Sequence, residues 1–198
     1  MIKFILEHKD AVVNYFGFSI VWICCASSPS LDMPYLAPIA TLIFLFFHFS
    51  IIAYKRYQEL QLIIFAIFLG MVVDSGFAIY SIVEYKGKVI DQFPNLSPIW
   101  ILCMWAGFAS QVNYAMRYLK GKYLLISFYG LLAPLAYMGG EKINAVDVGP
   151  ENMNYAIIAI IWSISFILLF RVSQYLICLL YTSPSPRDLS TSRMPSSA

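Results

Sequence analysis

A few side chains stand where an apolar chain rarely carries them, and their types limit the chemistry on offer. Asp74 lies inside the apolar run from Leu60 to Val83, in the segment Gly70-Met71-Val72-Val73-Asp74-Ser75-Gly76. An ionisable group in a run long enough to cross a bilayer is costly, so it marks a functional site by default. A carboxylate there can hold a proton, a cation or a ligand, or can bond helices together. His48 is a second candidate, for proton transfer or structural hydrogen bonding. At 1.5 Å of rise per residue, Asp74 lies roughly 20 Å from the end near Glu59, whereas His48 and Asn113 fall in the opposite half. Two polar levels are expected. One holds His48, Asn113, Arg117 and Glu59; the other holds Asp74, Ser75, Trp105 and Tyr137.

The elements that must position these groups follow from composition. The chain has 198 residues, 60% of them hydrophobic and 12% charged, with a mean hydropathy of +0.72. A soluble domain carries about 25% charged residues, so this is the pattern of a polytopic membrane protein. Six apolar runs, 11–27, 34–54, 60–83, 97–118, 122–140 and 154–178, predict an all-α membrane bundle of about six transmembrane helices. Lys3, Lys9, Lys55, Arg56, Arg117, Lys120, Lys122 and Arg171 flank one set of ends; Lys86, Lys88 and Lys142 flank the other. The positive-inside rule then gives both termini inside.

Local signals refine the bundle. Pro29 and Pro34 bracket the first turn, Pro94 and Pro98 precede the fourth run, and Gly149-Pro150 precedes the sixth. Gly121 between Lys120 and Lys122 predicts a tight hairpin, and 139–154 reads as a solvated connector. Trp105, Phe108 or Ala109, Asn113 and Arg117 fit one helical face, Arg117 also being readable as an interface anchor. Gly70, Asp74 and Ala78 form a small-residue stripe, and Pro134 breaks the fifth run at the depth of Asp74, which makes the third and fifth runs expected neighbours. Trp100, Tyr118, Tyr123 and Tyr155 read as interfacial aromatics.

Several functions are excluded or weakly supported. A net charge of +2 without a basic run gives no nucleic-acid partner. Cys24, Cys25, Cys103 and Cys178 have neither Cys-x-x-Cys spacing nor a nearby His, so neither a metal nor a disulfide framework is expected. No nucleophile elbow, phosphate-binding loop or catalytic carboxylate pair occurs, and no cofactor is implied. The first run lacks a convincing cleavage site and reads as an anchor. Residues 1–177 are expected to form a single helical domain. The Ser/Pro-rich 178–198 segment resembles translated adapter sequence and is expected to be a non-native disordered tail, with the natural terminus missing.

His48, Glu59-Leu60, Gly70, Asp74-Ser75, Pro98-x-Trp100, Trp105-x-x-Phe108, Asn113, Pro134, Tyr137 and Gly139 together resemble the bacterial inner-membrane domain-of-unknown-function 2878 family. Asn14, Phe18 and Trp22 look like its opening helix, so the resemblance covers about Asn14 to Phe170. It implies a compact multi-helix protein of the bacterial cytoplasmic membrane and no particular activity. The expected partners are the bilayer, a small molecule or lipid, and a membrane protein that this chain assists. The leading expectation is therefore a non-enzymatic ligand- or lipid-handling protein or accessory subunit; the competing one is a lipid-modifying enzyme using Asp74 or His48.

Overall fold

In a computed structural model, residues 9–87 and 95–182 are described, 179–182 by backbone alone. The expectations placed on Lys3, Lys88, Pro94 and residues 183–198 lie outside the described residues. Helix α1 spans Lys9–Ser27, α2 Leu36–Phe47, α3 Arg56–Ile79, α4 Ile99–Ala109, α5 Tyr123–Leu131, α6 Ala133–Lys142 and α7 Asn152–Thr182. Strands β1, Val83–Tyr85, and β2, Val146–Val148, complete the fold. Among the described residues, four helical stretches are long and apolar enough to cross a membrane: Lys9–Ser27, Arg56–Ile79, Tyr123–Lys142 and Asn152–Cys178. α7 runs through position 178, where the tail was expected to begin.

The two remaining runs make shorter helices. α2 continues into a π-helical turn, His48–Ile52, before Ala53 turns extended. A π turn shifts the side chains that follow it, and it leaves His48 fully buried. α4 has 11 residues, about 16 Å of a hydrocarbon core of about 30 Å. Asn113 and Arg117 therefore do not continue its face, contrary to the spacing argument. The Ser110 hydroxyl donates to the Gly107 carbonyl at 2.7 Å, and Gln111 and Val112 donate back to Phe108 and Ala109 in tight turns. Such short polar side chains offer the backbone an alternative to the helical ladder. The irregular backbone is accommodated because Ser110, Gln111, Val112, Asn113 and Tyr114 are all buried in protein.

Pro134 divides the fifth run into α5 and α6, where it occupies the first turn of the second helix and needs no N–H partner. α5 lies close against α7, but α3 packs on α4 and α7 rather than on the fifth-run helices. The third and fifth runs do meet, as expected, through side chains rather than close backbone packing: Tyr137 bonds Asp74 and its ring lies against Phe77. The 139–154 segment is not simply a solvated connector. Its start is helical, and β2 pairs antiparallel with β1 in the register Val83↔Val148, Glu84↔Asp147 and Tyr85↔Val146. Val83, Tyr85, Val146 and Val148 face inward while Glu84 and Asp147 face out, the period-two alternation of a half-buried sheet. Glu84 and Asp147 oppose each other with like charge, and the Lys86 ammonium, 2.6 Å from Glu84, offsets that repulsion.

Candidate functional site

Among the described residues, two clusters of buried polar groups stand apart from each other. In the first, Asp74 of α3 is the acceptor for three side chains from three other elements. Tyr85 donates to Oδ1 at 2.5 Å, Trp105 to Oδ2 at 2.7 Å and Tyr137 to Oδ1 at 3.1 Å. One of these directions is forced. An indole N–H can only donate, which fixes the Trp105 bond. The Trp162 indole donates to the Tyr137 oxygen at 3.1 Å, which leaves the Tyr137 hydroxyl proton free to donate to Asp74. Burial, followed by the charge of Asp74, pushes the Tyr85 phenol well above its usual range, so Tyr85 stays protonated as a donor.

Each partner reaches Asp74 for a local reason. Tyr85 points inward because the β1–β2 pairing puts it on the buried face of the sheet. Gly70, one turn before Asp74, lets the Trp105 indole approach: a Cβ at position 70 would overlap the ring. Trp105 then stacks on Trp162 of α7 with centroids 4.5 Å apart and planes 11° apart. Ser75 does not join this cluster; its hydroxyl accepts from the Ser97 N–H at 3.0 Å and ties the segment before α4 to α3.

Asp74 and Tyr137 border a cavity of about 280 Å³ between α1, α4, α5–α6 and α7. All four tryptophans of the chain, Trp22, Trp100, Trp105 and Trp162, line it. The interfacial reading of Trp100 is thus corrected: it is buried, and its indole donates to the Lys86 carbonyl at 2.9 Å. Among the described residues no Lys, Arg or His borders the cavity. It is an aromatic chamber with one carboxylate in its wall.

The second cluster lies at the opposite end of α3. The Glu59 carboxylate accepts from Asn113 at 2.5 Å, and the Asn113 carbonyl accepts from Lys120 at 2.5 Å and Ser173 at 2.7 Å. His48 Nε2 stands 3.7 Å from Glu59 Oε2, beyond hydrogen-bond reach, and Asn14 lies 3.4 Å from His48 Nδ1. Asn14 also donates to Ser110 at 3.2 Å, while Gln111 donates to the Asn14 carbonyl at 3.0 Å. The structure thus brings His48, Glu59 and Asn113 together. Arg117 stays outside, partly exposed and paired with Asp10 at 2.8 Å.

Sequence reasoning missed Tyr85, Trp162, Lys120 and Ser173. Only Lys120 had a signal, as a basic residue beside a buried amide; the others depend on packing between distant segments. Among the described residues, no group of three or more His, Cys, Asp or Glu is arranged to hold a metal, and the four cysteines are free.

Lys120 carries a testable pH dependence. Burial lowers the pKa of its ammonium, opposed by the charge of Glu59. A cation with a depressed folded pKa loses its proton from the folded state first as pH rises. The unfolded chain then holds more protons, and stability increases. The thermal midpoint of the solubilised protein is expected to rise, relative to Lys120→Met, through the range below the ordinary lysine value of about 10.4. Parallel midpoints for the two proteins across that range would remove the buried charge from the argument.

The fold and sites define a class: a mostly helical protein with four membrane-length helices, carrying two buried polar clusters separated along its third helix. The chain belongs to the family described as Protein of unknown function (DUF2878), whose profile matches residues 11–168. Neither the curated proteins nor the solved structures compared gave a match.

Proposed function

We propose that this chain is a multi-pass protein of the bacterial cytoplasmic membrane that holds a small apolar or lipid-derived molecule in the Asp74 cavity. It works by binding, either alone or as an accessory to another membrane protein. The observation that carries this reading is the chamber itself. Ligand sites are concave and mostly apolar, with few fixed polar groups, and about 280 Å³ stands near the lower edge of their usual size. Asp74 is held rigidly by Tyr85, Trp105 and Tyr137, the preorganisation a binding site requires.

The competing reading, a lipid-modifying enzyme using Asp74 or His48, is less well supported. The two groups belong to different clusters, and His48 does not border the cavity. A general acid and base must both reach the reacting atoms. Asp74 also spends three acceptor positions on the protein, two of them on the Oδ1 atom.

Ala136 lines the chamber, so Ala136→Leu places a larger side chain inside it. Mass spectrometry of protein purified in mild detergent should find a small molecule or lipid enriched over the bulk membrane extract and lost from Ala136→Leu. Identical, bulk-like extracts from both proteins would overturn the binding reading. A lipid species whose headgroup or chain chemistry depends on the gene would favour the enzyme instead.

Six passes with both termini inside complete the proposal. It is supported by the basic bias and by the gathering of alternate connections at common ends of the bundle. Ser30 bonds the Ile143 carbonyl and β1 pairs with β2 at one end, while Arg117 pairs with Asp10 at the other. Single cysteines at positions 147 and 121, in a background lacking the four native ones, should react with an impermeant reagent from outside and inside respectively. Outside labelling at 121 would reverse the orientation.

A further inference from the structure

We infer that the Asp74 chamber is selective for an organic monocation, an ammonium group bearing apolar substituents; this rests on the binding reading above. The charge balance of the walls carries the argument. Asp74 receives an obligate indole donor on Oδ2 and, on Oδ1, the hydroxyls of Tyr85 and Tyr137, the latter with its oxygen already accepting from Trp162. This arrangement suits an ionised carboxylate, which only accepts. Its charge is met by neutral donors alone, because no cationic side chain borders the chamber among the described residues. A buried carboxylate so placed lacks a counter-charge that a bound ligand can supply.

The remaining surface selects the kind of cation. Trp22, Trp100, Trp105 and Trp162 line the space together with Phe18 and Phe108, so aromatic side chains make up much of its wall. Aromatic faces attract cations, most strongly when these are desolvated, and tryptophan is the best of the side chains for it. A metal ion or a strongly hydrated ammonium would find few oxygens there to replace its hydration shell. A substituted ammonium carries its charge behind methyl or alkyl groups and gives up little hydration. A zwitterionic headgroup is disfavoured, since the chamber offers no cation for its phosphate. The source is therefore a free amine or quaternary ammonium compound rather than an intact phosphocholine lipid.

The four chamber tryptophans are the only ones in the chain, so intrinsic fluorescence reports directly on this site. The test titrates purified full-length protein in maltoside micelles with benzyltrimethylammonium, and separately with neopentylbenzene, its uncharged carbon isostere. Phenylacetate and a short-chain phosphocholine serve as the anionic and zwitterionic comparisons. Affinities are referred to free aqueous concentration. The cation should bind, and Asp74→Asn should weaken it by about tenfold while changing the isostere by less than about twofold. Phenylacetate and phosphocholine should not bind in the same range.

Binding of the isostere without the cation, or equal loss of both in Asp74→Asn, overturns the monocation assignment while leaving the binding reading in place. Saturable binding of none of the four probes overturns both. Tight binding of the phosphocholine transfers the site to a lipid headgroup and also overturns the assignment. Should Asp74→Asn not fold, the cation-against-anion comparison on the unaltered protein still decides: equal affinity for benzyltrimethylammonium and phenylacetate refutes it.

Discussion

Asp74→Ala is expected to destabilise the solubilised protein by about 2–4 kcal/mol, whereas Asp74→Asn should cost less than about 1 kcal/mol. The alanine variant removes the common acceptor of three buried donors, Tyr85, Trp105 and Tyr137. Leaving a buried donor unpaired costs about 1–3 kcal/mol in water-soluble proteins, but hydrogen bonds within membranes average only about 0.6 kcal/mol. The intermediate range follows because the donors sit in a protein core, and the two hydroxyls can rotate while the indole cannot. Asparagine can keep a hydrogen bond to each partner by reversing two of them. Its carbonyl can face Trp105, and its amide N–H groups can face the two tyrosine oxygens once the hydroxyls turn away. A pair of thermal unfolding curves checks this, and equal losses for the two variants would show that charge rather than hydrogen bonding stabilises the cluster.

Gly130→Ala is expected to lower stability by about 2–3 kcal/mol, and Gly130→Val by more. A Cβ at position 130 would overlap the backbone of Ser163 in α7 and stand 2.8 Å from the Trp162 carbonyl carbon. A backbone cannot swing aside as a side-chain end can, so α5 and α7 would be forced apart. That displacement also disturbs the Ser163 hydroxyl, which donates to the Ser127 carbonyl at 2.8 Å, and moves Trp162 against Trp105. Gly139→Ala is the control, because a Cβ there meets nothing within 4 Å, and it should be neutral or mildly stabilising. Thermal midpoints of the two variants make the comparison; equal effects at 130 and 139 would show that close approach of α5 to α7 is not what Gly130 provides. The chamber should respond too, since Trp162 forms part of its wall.

The inward face of the small sheet links fold to site. β1 and β2 are three residues each and sixty residues apart in sequence, yet their pairing directs Tyr85 onto Asp74. The same pairing buries Val146, which borders the chamber.

Apolar run lengths suffice to read helices long and apolar enough to cross a membrane, because any spanning segment must satisfy its own backbone and shield it from lipid. The isolation of Asp74 in such a run marked one polar level, and helical rise alone separated it from His48, Glu59 and Asn113, which share a cluster in the fold. Pro134 marked the break between α5 and α6 for a local steric reason. The end of α4 at Ala109 was not legible, since its apolar run continues while buried Ser110, Gln111 and Asn113 find partners on other segments. The strands were hidden for a related reason: three-residue alternations are too short to stand out, and their stability comes from pairing with each other. Arg117 belongs with Asp10 rather than with Asn113 because the turns after α4 redirect it. Periodicity along a chain records which face of an element is apolar, but which donor meets which acceptor depends on segments brought together from far apart. Only the tertiary structure could therefore join Tyr85, Trp105 and Tyr137 on one carboxylate and gather four tryptophans around the space beside it.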